Sequence, residues 1–130
     1  MTISRWILFI TGITYVIFAV AFILFPVMMA TKFDTALETP TALSNFRSAQ
    51  GGLQLGLGAY LICCGIRKSW VRSGLAAQAL TSGGFVIGRV VSLFVDGEPK
   101  PVTYGLLLVE IVGCAVALVL LQVSRQKTKG

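Results

Sequence analysis

The amino-acid sequence predicts an all-α fold: a bundle of four membrane-spanning helices in a single domain over residues 1–130. Hydrophobic residues make up 55% of the chain and charged residues only 12%, about half the charged fraction of an ordinary soluble domain. Mean hydropathy is +0.84. The apolar residues are gathered into long stretches separated by short polar segments, which is the pattern of an integral membrane protein.

The first helix is predicted from residues 7–25, which carry no charge. This stretch matches the roughly 20 residues that a helix needs to cross the hydrocarbon core. Arg5 and Trp6 precede it and Pro26 follows it, so we expect the first helix over about residues 6–29. A cleavable signal peptide is the rival interpretation, but its apolar region usually spans only about 7–15 residues.

The second helix is expected over about residues 41–66. Thr39 and Pro40 have the character of an N-cap followed by proline at the first helical position. The basic pair Arg67-Lys68 ends the apolar stretch.

Two further helices are predicted over about residues 72–95 and 102–124. The connection between them, residues 96–101, contains one glycine and two prolines among charged residues, a composition that ends helices and forms turns. A polar tail follows the fourth helix.

The distribution of basic residues predicts the orientation. The N-terminus, the connection between the second and third helices, and the C-terminal tail contain no acidic residue and carry Arg5, Arg67, Lys68, Arg72, Arg125, Lys127 and Lys129. The positive-inside rule therefore predicts that both termini are cytoplasmic. The net charge of +6 follows from these flanking residues and forms no basic stripe with interleaved aromatics, so we expect no nucleic-acid partner.

Charged and amide side chains fall inside the predicted spans. Counted from the outer helix ends, Arg47, Arg89 and Glu110 lie at depths of ~3, ~9 and ~12 Å. A charge at the bilayer centre costs roughly 2.5–3.5 kcal/mol on insertion scales, so such residues normally face a partner or a cavity. Helical spacing places Gln50 and Gln54 on the same face of the second helix as Arg47. It also places Ser92 and Asp96 on the same face of the third helix as Arg89. We therefore predict an outer-leaflet polar pocket lined by Asn45, Arg47, Gln50, Gln54, Arg89, Ser92, Asp96 and Glu110.

The same charges also suit a purely structural ion pair, in which Glu110 neutralises Arg89 or Arg47. One positive charge is then left over unless Asp96 pairs with Arg89. If Asp96 does not, an anionic ligand would supply the missing partner, because arginine suits bidentate contacts with carboxylate and phosphate groups. The sequence leaves the structural and the ligand-binding interpretations open.

Glycines at matching depth predict a close contact between the second and third helices. Small residues let membrane helices approach closely. The residues expected at that contact are Gly52, Gly56, Gly84 and Gly88.

Two strings carry a family resemblance. They are Asn45-Phe-Arg47-x-x-x-Gly51-Gly52 and Gly88-Arg89-x-x-Ser92-x-x-x-Asp96-Gly97-x-Pro99, the latter followed by Glu110. With them the chain resembles, over nearly its whole length, a family of small bacterial four-helix membrane proteins known as a domain of unknown function and distantly similar to DoxX-like proteins. The resemblance implies the four-helix fold, a bacterial inner-membrane location and no established activity. It marks as family-type positions Asn45, Arg47, Arg89, Asp96, Pro99 and Glu110.

The favoured function is non-enzymatic: the polar pocket binds a lipid-like or anionic small ligand, or a partner subunit, within the lipid bilayer. We expect no cofactor and no metal. A homo-oligomer or a larger membrane complex stays open as the assembly.

Two alternatives belong to other classes. One is a small proton-coupled transporter using Glu110, although small multidrug exporters carry their membrane glutamate on the first helix. The other is a membrane enzyme that acts on a lipid with Glu110 as acid or base. The chain has no histidine and none of the H-E-x-x-H, C-x-x-C or G-x-S-x-G motifs, so no catalytic residue is assigned.

Overall fold

The computed structural model describes the backbone of residues 2–129 and the side chains of residues 2–127. The side chain of Lys129, one of the basic tail residues, lies outside the described residues. The described part of the chain is helical apart from its short connections, and the helices are α1 (Thr2–Leu24), α2 (Pro26–Lys32), α3 (Pro40–Phe46), a π-helical turn (Arg47–Gly52), α4 (Leu53–Ile66), a 3₁₀ turn (Lys68–Trp70), α5 (Val71–Val95) and α6 (Pro101–Lys129).

Four helical stretches are long and apolar enough to cross a membrane. The second of them joins α3, the π-helical turn and α4 into one continuous stretch. The four candidate spans are Thr2–Leu24, Pro40–Ile66, Lys68–Val95 and Pro101–Lys127. The prediction of an all-α chain with four candidate spans is confirmed.

The chain divides into two compact units, Thr2–Lys68 and Ser69–Gly130, which we call the N-terminal and C-terminal units. In the N-terminal unit α1 packs against α4 and against the π-helical turn. In the C-terminal unit α5 packs against α6. Each unit is therefore a pair of candidate spans, joined by residues 25–39 with α2 in the N-terminal unit and by residues 96–100 in the C-terminal unit.

The first predicted helix is divided near its end. Instead of continuing to residue 29, α1 ends at Leu24, and Phe25 has non-helical angles of φ −126° and ψ 55°. Pro26 begins α2 at its first position. The physical reason is that proline has no N–H to donate and its ring collides with the carbonyl four residues earlier.

The second span begins as the sequence predicts. The Thr39 side chain accepts a hydrogen bond of 3.1 Å from the Ala42 N–H, and Pro40 is the first helical residue. The cap satisfies one of the backbone donors that a helix N-terminus leaves without an intrahelical partner.

The connection between α5 and α6 also follows the prediction. Gly97 has φ +90°, a conformation that costs glycine little and other residues considerably more. The new helix begins at Pro101, where a missing N–H costs nothing because that donor has no helical partner.

A row of small residues brings α1 and span two together. A Cβ built on Gly12 would lie 2.7 Å from the Gly58 carbonyl oxygen, and one on Gly58 would lie 2.8 Å from the Gly12 carbonyl oxygen. At one end, a Cβ on Gly65 would lie 2.9 Å from the Arg5 carbonyl oxygen. At the other, a Cβ on Gly51 would overlap the Ile23 side chain. We call Gly51, Gly58 and Gly65 the glycine seam.

Candidate functional site

Arg89 on α5 and Glu110 on α6 form a bidentate ion pair. Arg89 Nε donates to Glu110 Oε2 at 2.7 Å and Arg89 Nη2 donates to Oε1 at 3.1 Å. The side chains are 29% and 16% exposed, respectively. Two parallel N–H···O bonds are the strongest geometry available to these groups. The pair therefore ties the two helices of the C-terminal unit together.

Asp96 binds a different partner. Its Oδ2 accepts a hydrogen bond of 2.7 Å from the Ser92 hydroxyl, one helical turn earlier on α5. Both residues are exposed near the end of that helix. Of the two carboxylates that the sequence offers to Arg89, Glu110 is the one the structure pairs with it.

Arg47 lies at the start of the π-helical turn and reaches α1. Its Nη1 donates to the carbonyl oxygen of Ile23. That carbonyl belongs to the last turn of α1, where helix carbonyls lack helical partners and a cation is favoured by the helix dipole. In the described part of the chain no carboxylate pairs with Arg47.

A π-helical turn lies within the polar face expected on the second span. Its geometry is marked by the Leu53 N–H, which bonds to the Ser48 carbonyl five residues earlier. Such turns are rare and often lie at functional sites. Here the wider turn leaves Gln50 exposed while Gly51 is buried against α1.

The remaining polar residues of the second span make fewer hydrogen bonds than the arginines do. Asn45 and Gln50 are exposed, and Gln54 is half-buried. The Gln54 Oε1 atom is buried and has no hydrogen-bond partner. A buried acceptor without a donor is costly, so this oxygen is a destabilising feature of the second span.

The predicted pocket draws on both units. Arg47 and its neighbours belong to the N-terminal unit, whereas the ion pair and Asp96 belong to the C-terminal unit. Within each unit the structure gives the contacts described above. The convergence of the two sets on one pocket stays a prediction.

The glycines predicted to pack the second and third spans stand in open surroundings. A Cβ on Gly56, Gly84 or Gly88 would meet no atom within 4 Å, and one on Gly52 would lie 3.9 Å from the Arg47 carbonyl oxygen. The expected contact joins the two units, and it too stays a prediction. The close glycine contacts that the structure does give belong to the glycine seam within the N-terminal unit.

Sequence reasoning missed a second capping arginine. Arg5 Nε donates to the Gly65 carbonyl at 2.8 Å and Arg5 Nη2 to the Ile66 carbonyl at 2.9 Å, so Arg5 caps the end of α4 as Arg47 caps the end of α1. A usable signal was its position in the first turn of α1, because the first turn of one antiparallel helix lies beside the last turn of its partner.

A buried polar group on α5 was also missed. Gln78 and Ser82 are only 4% and 5% exposed, and Gln78 Oε1 has no hydrogen-bond partner. They face α6, where a Cβ on Gly113 would lie 3.6 Å from the Ser82 hydroxyl oxygen. Their spacing relative to Arg89 is helical and places them on the polar face of α5, which was the available signal.

Four apolar helices with an arginine–glutamate pair between two of them define a small multi-span membrane protein. The chain belongs to the DUF4345 family, a domain of unknown function whose family model matches residues 3–121. Neither the curated proteins nor the solved structures contain a chain detectably similar to this one.

Proposed function

We propose that the protein is a non-enzymatic membrane protein that binds an anionic, lipid-like small molecule through Arg47. The observation that carries the proposal is the unequal charge compensation of Arg89 and Arg47. Glu110 matches the charge of Arg89, whereas Arg47 has a backbone carbonyl and no carboxylate among its described partners. A charge in such a segment is expected to have a partner.

The chemistry of Arg47 suits an anionic group. A guanidinium has five N–H donors in a fixed planar fork, and Nη1 is the one that donates to Ile23. The side chain is exposed, so its other donors are accessible. A carboxylate or phosphate can accept two of them in parallel.

An apolar surround for the rest of the ligand lies beside Arg47 within the N-terminal unit. The ring of Phe46 packs edge-to-face on Phe22 at 5.5 Å, and Phe33 lies 5.9 Å from Phe22. These rings belong to residues on both sides of the α1–α2 break and at the end of α3. An amphiphile with an acidic head and an apolar tail fits these features.

The orientation belongs to the same proposal. The basic flanks favour cytoplasmic termini in a bacterial cell, and in this orientation the Arg47 end of the second span lies in the outer leaflet of the inner membrane. No observation favours a transporter or an enzyme over this function, since both carboxylate oxygens of Glu110 are engaged by Arg89.

The test is the binding of oleate and of uncharged oleyl alcohol to protein purified in a mild non-ionic detergent, followed by native mass spectrometry. We expect oleate to be retained by the wild type and by Arg47→Lys, which keeps the charge. Arg47→Gln should weaken oleate binding by about tenfold or more, because hydrogen bonds to charged groups contribute about 1.5–3 kcal/mol. Oleyl alcohol should be retained weakly and equally by all three proteins.

The matched control is Arg125→Gln, which removes an exposed arginine of the tail and should leave oleate retention unchanged. Thermal unfolding of each variant checks that the loss of the Ile23 contact has not unfolded the N-terminal unit. Equal retention of oleate by the wild type and by a folded Arg47→Gln would contradict the proposal.

A further inference from the structure

A groove lies at the opposite end of the N-terminal unit from Arg47, where α1 begins and α4 ends. Its volume is about 240 Å³. It is lined by Thr2, Arg5, Trp6, Phe9, Gly65 and Ile66. The rings of Trp6 and Phe9 meet edge-to-face with their centroids 6.2 Å apart, so one side of the groove is aromatic and apolar.

The cationic side of the groove is fixed in position. Arg5 is held by its hydrogen bonds to the Gly65 and Ile66 carbonyls at the end of α4. These bonds use Nε and Nη2 and leave Nη1 without a partner among the described residues. The guanidinium therefore presents a donor to the groove without having to reorganise, and preorganised donors lower the cost of binding.

The charge around the groove is positive. Arg67 and Lys68 follow Ile66 directly, and residues 2–12 and 63–68 include no aspartate or glutamate. Trp6 is 61% exposed, as expected for an aromatic residue at the boundary between lipid and water. An apolar wall, a fixed arginine and a basic rim together match the chemistry of one class of molecule.

We propose that this groove binds an anionic phospholipid of the surrounding bilayer. The headgroup phosphate accepts hydrogen bonds from Arg5 and is attracted by Lys68, and an acyl chain lies along Trp6 and Phe9. Basic side chains at such a site each favour an anionic lipid over a neutral one by about fivefold, the factor that corresponds to about 1 kcal/mol. This second site is independent of the Arg47 site.

The experiment uses the fluorescence of Trp6 in reconstituted bilayers. The chain has two tryptophans, so Trp70→Phe leaves Trp6 as the only one. The variant is placed in phosphatidylcholine bilayers that contain a small fraction of a lipid with brominated acyl chains. This lipid is brominated phosphatidylglycerol in one sample and brominated phosphatidylcholine in the other. Bromine quenches a tryptophan that it touches, so the quenching measures the lipid in contact with Trp6.

We expect brominated phosphatidylglycerol to quench Trp6 more strongly than brominated phosphatidylcholine, corresponding to a preference of about fivefold or more. In the same background, Arg5→Gln should abolish the preference and Lys68→Gln should reduce it. Arg5→Lys should keep it. Because Arg5→Lys and Arg5→Gln both lose the paired contact to the end of α4, comparing them separates the charge from the stability of the fold.

Arg125→Gln is the control for a general attraction of anionic lipid to a basic protein, and it should leave the preference unchanged. Two results would overturn the proposal. One is equal quenching by the two brominated lipids in the Trp70→Phe protein. The other is a loss in Arg125→Gln as large as the loss in Arg5→Gln.

Discussion

Arg5, Arg47 and Arg89 all donate to oxygen atoms, but those oxygens differ in charge. Arg89 binds a carboxylate, which carries a full negative charge. Arg5 and Arg47 bind carbonyls at helix ends, where the helix dipole supplies only about half a negative charge. The capping arginines are therefore anchored by the fold and keep part of their positive charge available to a ligand, whereas Arg89 does not.

The first prediction concerns the Arg89–Glu110 pair. Glu110→Gln leaves Arg89 without its counter-ion, and Arg89→Gln leaves Glu110 without its donor, so each should lower the free energy of unfolding. The side chains are 29% and 16% exposed, so the expected loss is about 1–2 kcal/mol, less than the cost of breaking a fully buried pair. Thermal or denaturant unfolding of the purified protein in detergent measures it.

The double variant Arg89→Gln/Glu110→Gln completes the cycle. It should be more stable than the sum of the two single losses predicts, because neither charge is then left alone. Ser92→Ala, which removes the exposed hydrogen bond to Asp96, serves as a control with little effect. Strict additivity of the two single losses would show that the ion pair does not stabilise the C-terminal unit.

At the level of single residues, the sequence predicts which side chains need partners better than it predicts the partners. Glu110 was one of two carboxylates open to Arg89, and the structure pairs them. The partner of Arg47 could not be predicted, because Ile23 offers its carbonyl only where Pro26 ends α1 and only in one antiparallel register. The first condition follows from proline chemistry, but the register depends on packing, which composition does not reveal.

The helices of the N-terminal unit meet in a regular register. Gly51, Gly58 and Gly65 are seven residues apart on the second span, and so are Ala19, Gly12 and Arg5 on α1. Each glycine of the seam lies against the backbone of its α1 counterpart. A seven-residue repeat keeps one face in contact along two helices that wind around each other, and small residues allow the backbones to approach.

The second prediction compares two glycines on α4. Gly58→Ala places a methyl group 2.8 Å from the Gly12 carbonyl oxygen, so the helices must separate, at a cost of about 1–3 kcal/mol for overpacking. Gly56→Ala meets no atom within 4 Å and gains the helix propensity of alanine, up to about 1 kcal/mol. The two variants should therefore shift the unfolding temperature in opposite directions.

Thermal unfolding in detergent checks this comparison, with both variants prepared identically. Gly12→Ala should behave like Gly58→Ala, since its Cβ would lie 2.7 Å from the Gly58 carbonyl oxygen. Equal stability of Gly56→Ala and Gly58→Ala would show that α1 and α4 do not meet at the glycine seam.

Among whole elements, hydropathy and caps were sufficient to locate the candidate spans, because the length of an apolar helix is a local property. The glycines of the seam were harder to recognise. Gly51, Gly52 and Gly56 are all candidates for a helix contact in the sequence. Only Gly51 belongs to a seven-residue repeat on the second span that matches a seven-residue repeat on α1. That match requires knowing which helices pair.

Across the whole molecule, most of the apolar surface faces away from the protein interior. In each candidate span, no more than 28% of the most apolar 18-residue stretch is buried inside the protein. Large apolar residues such as Leu80 and Phe94 are 77% and 87% exposed. A soluble domain would bury such residues. Contact with the lipid bilayer accounts for this surface, and a chain whose four candidate spans all cross the bilayer has both termini on one side.

The third prediction is the orientation expected from four crossings and from the basic flanks. We expect both termini on the same side, and the positive-inside rule predicts that this side is the cytoplasm. Green fluorescent protein fused after Gly130 should therefore fluoresce in a bacterial host, because it folds in the cytoplasm and not when exported unfolded. Alkaline phosphatase inserted at Gly97, in the connection between α5 and α6, should be active because it matures only outside the inner membrane.

The control exchanges the two reporters: phosphatase after Gly130 and fluorescent protein at Gly97 should both be inactive. A further variant tests the cause, because replacing Arg67, Lys68 and Arg72 with glutamine removes the basic residues between the second and third spans. If these residues set the orientation, the variant should show phosphatase activity and fluorescence in both fusion positions, as expected for a mixed population. An active phosphatase after Gly130 in the unaltered chain would place the termini outside, and the Arg47 site would then face the inner leaflet.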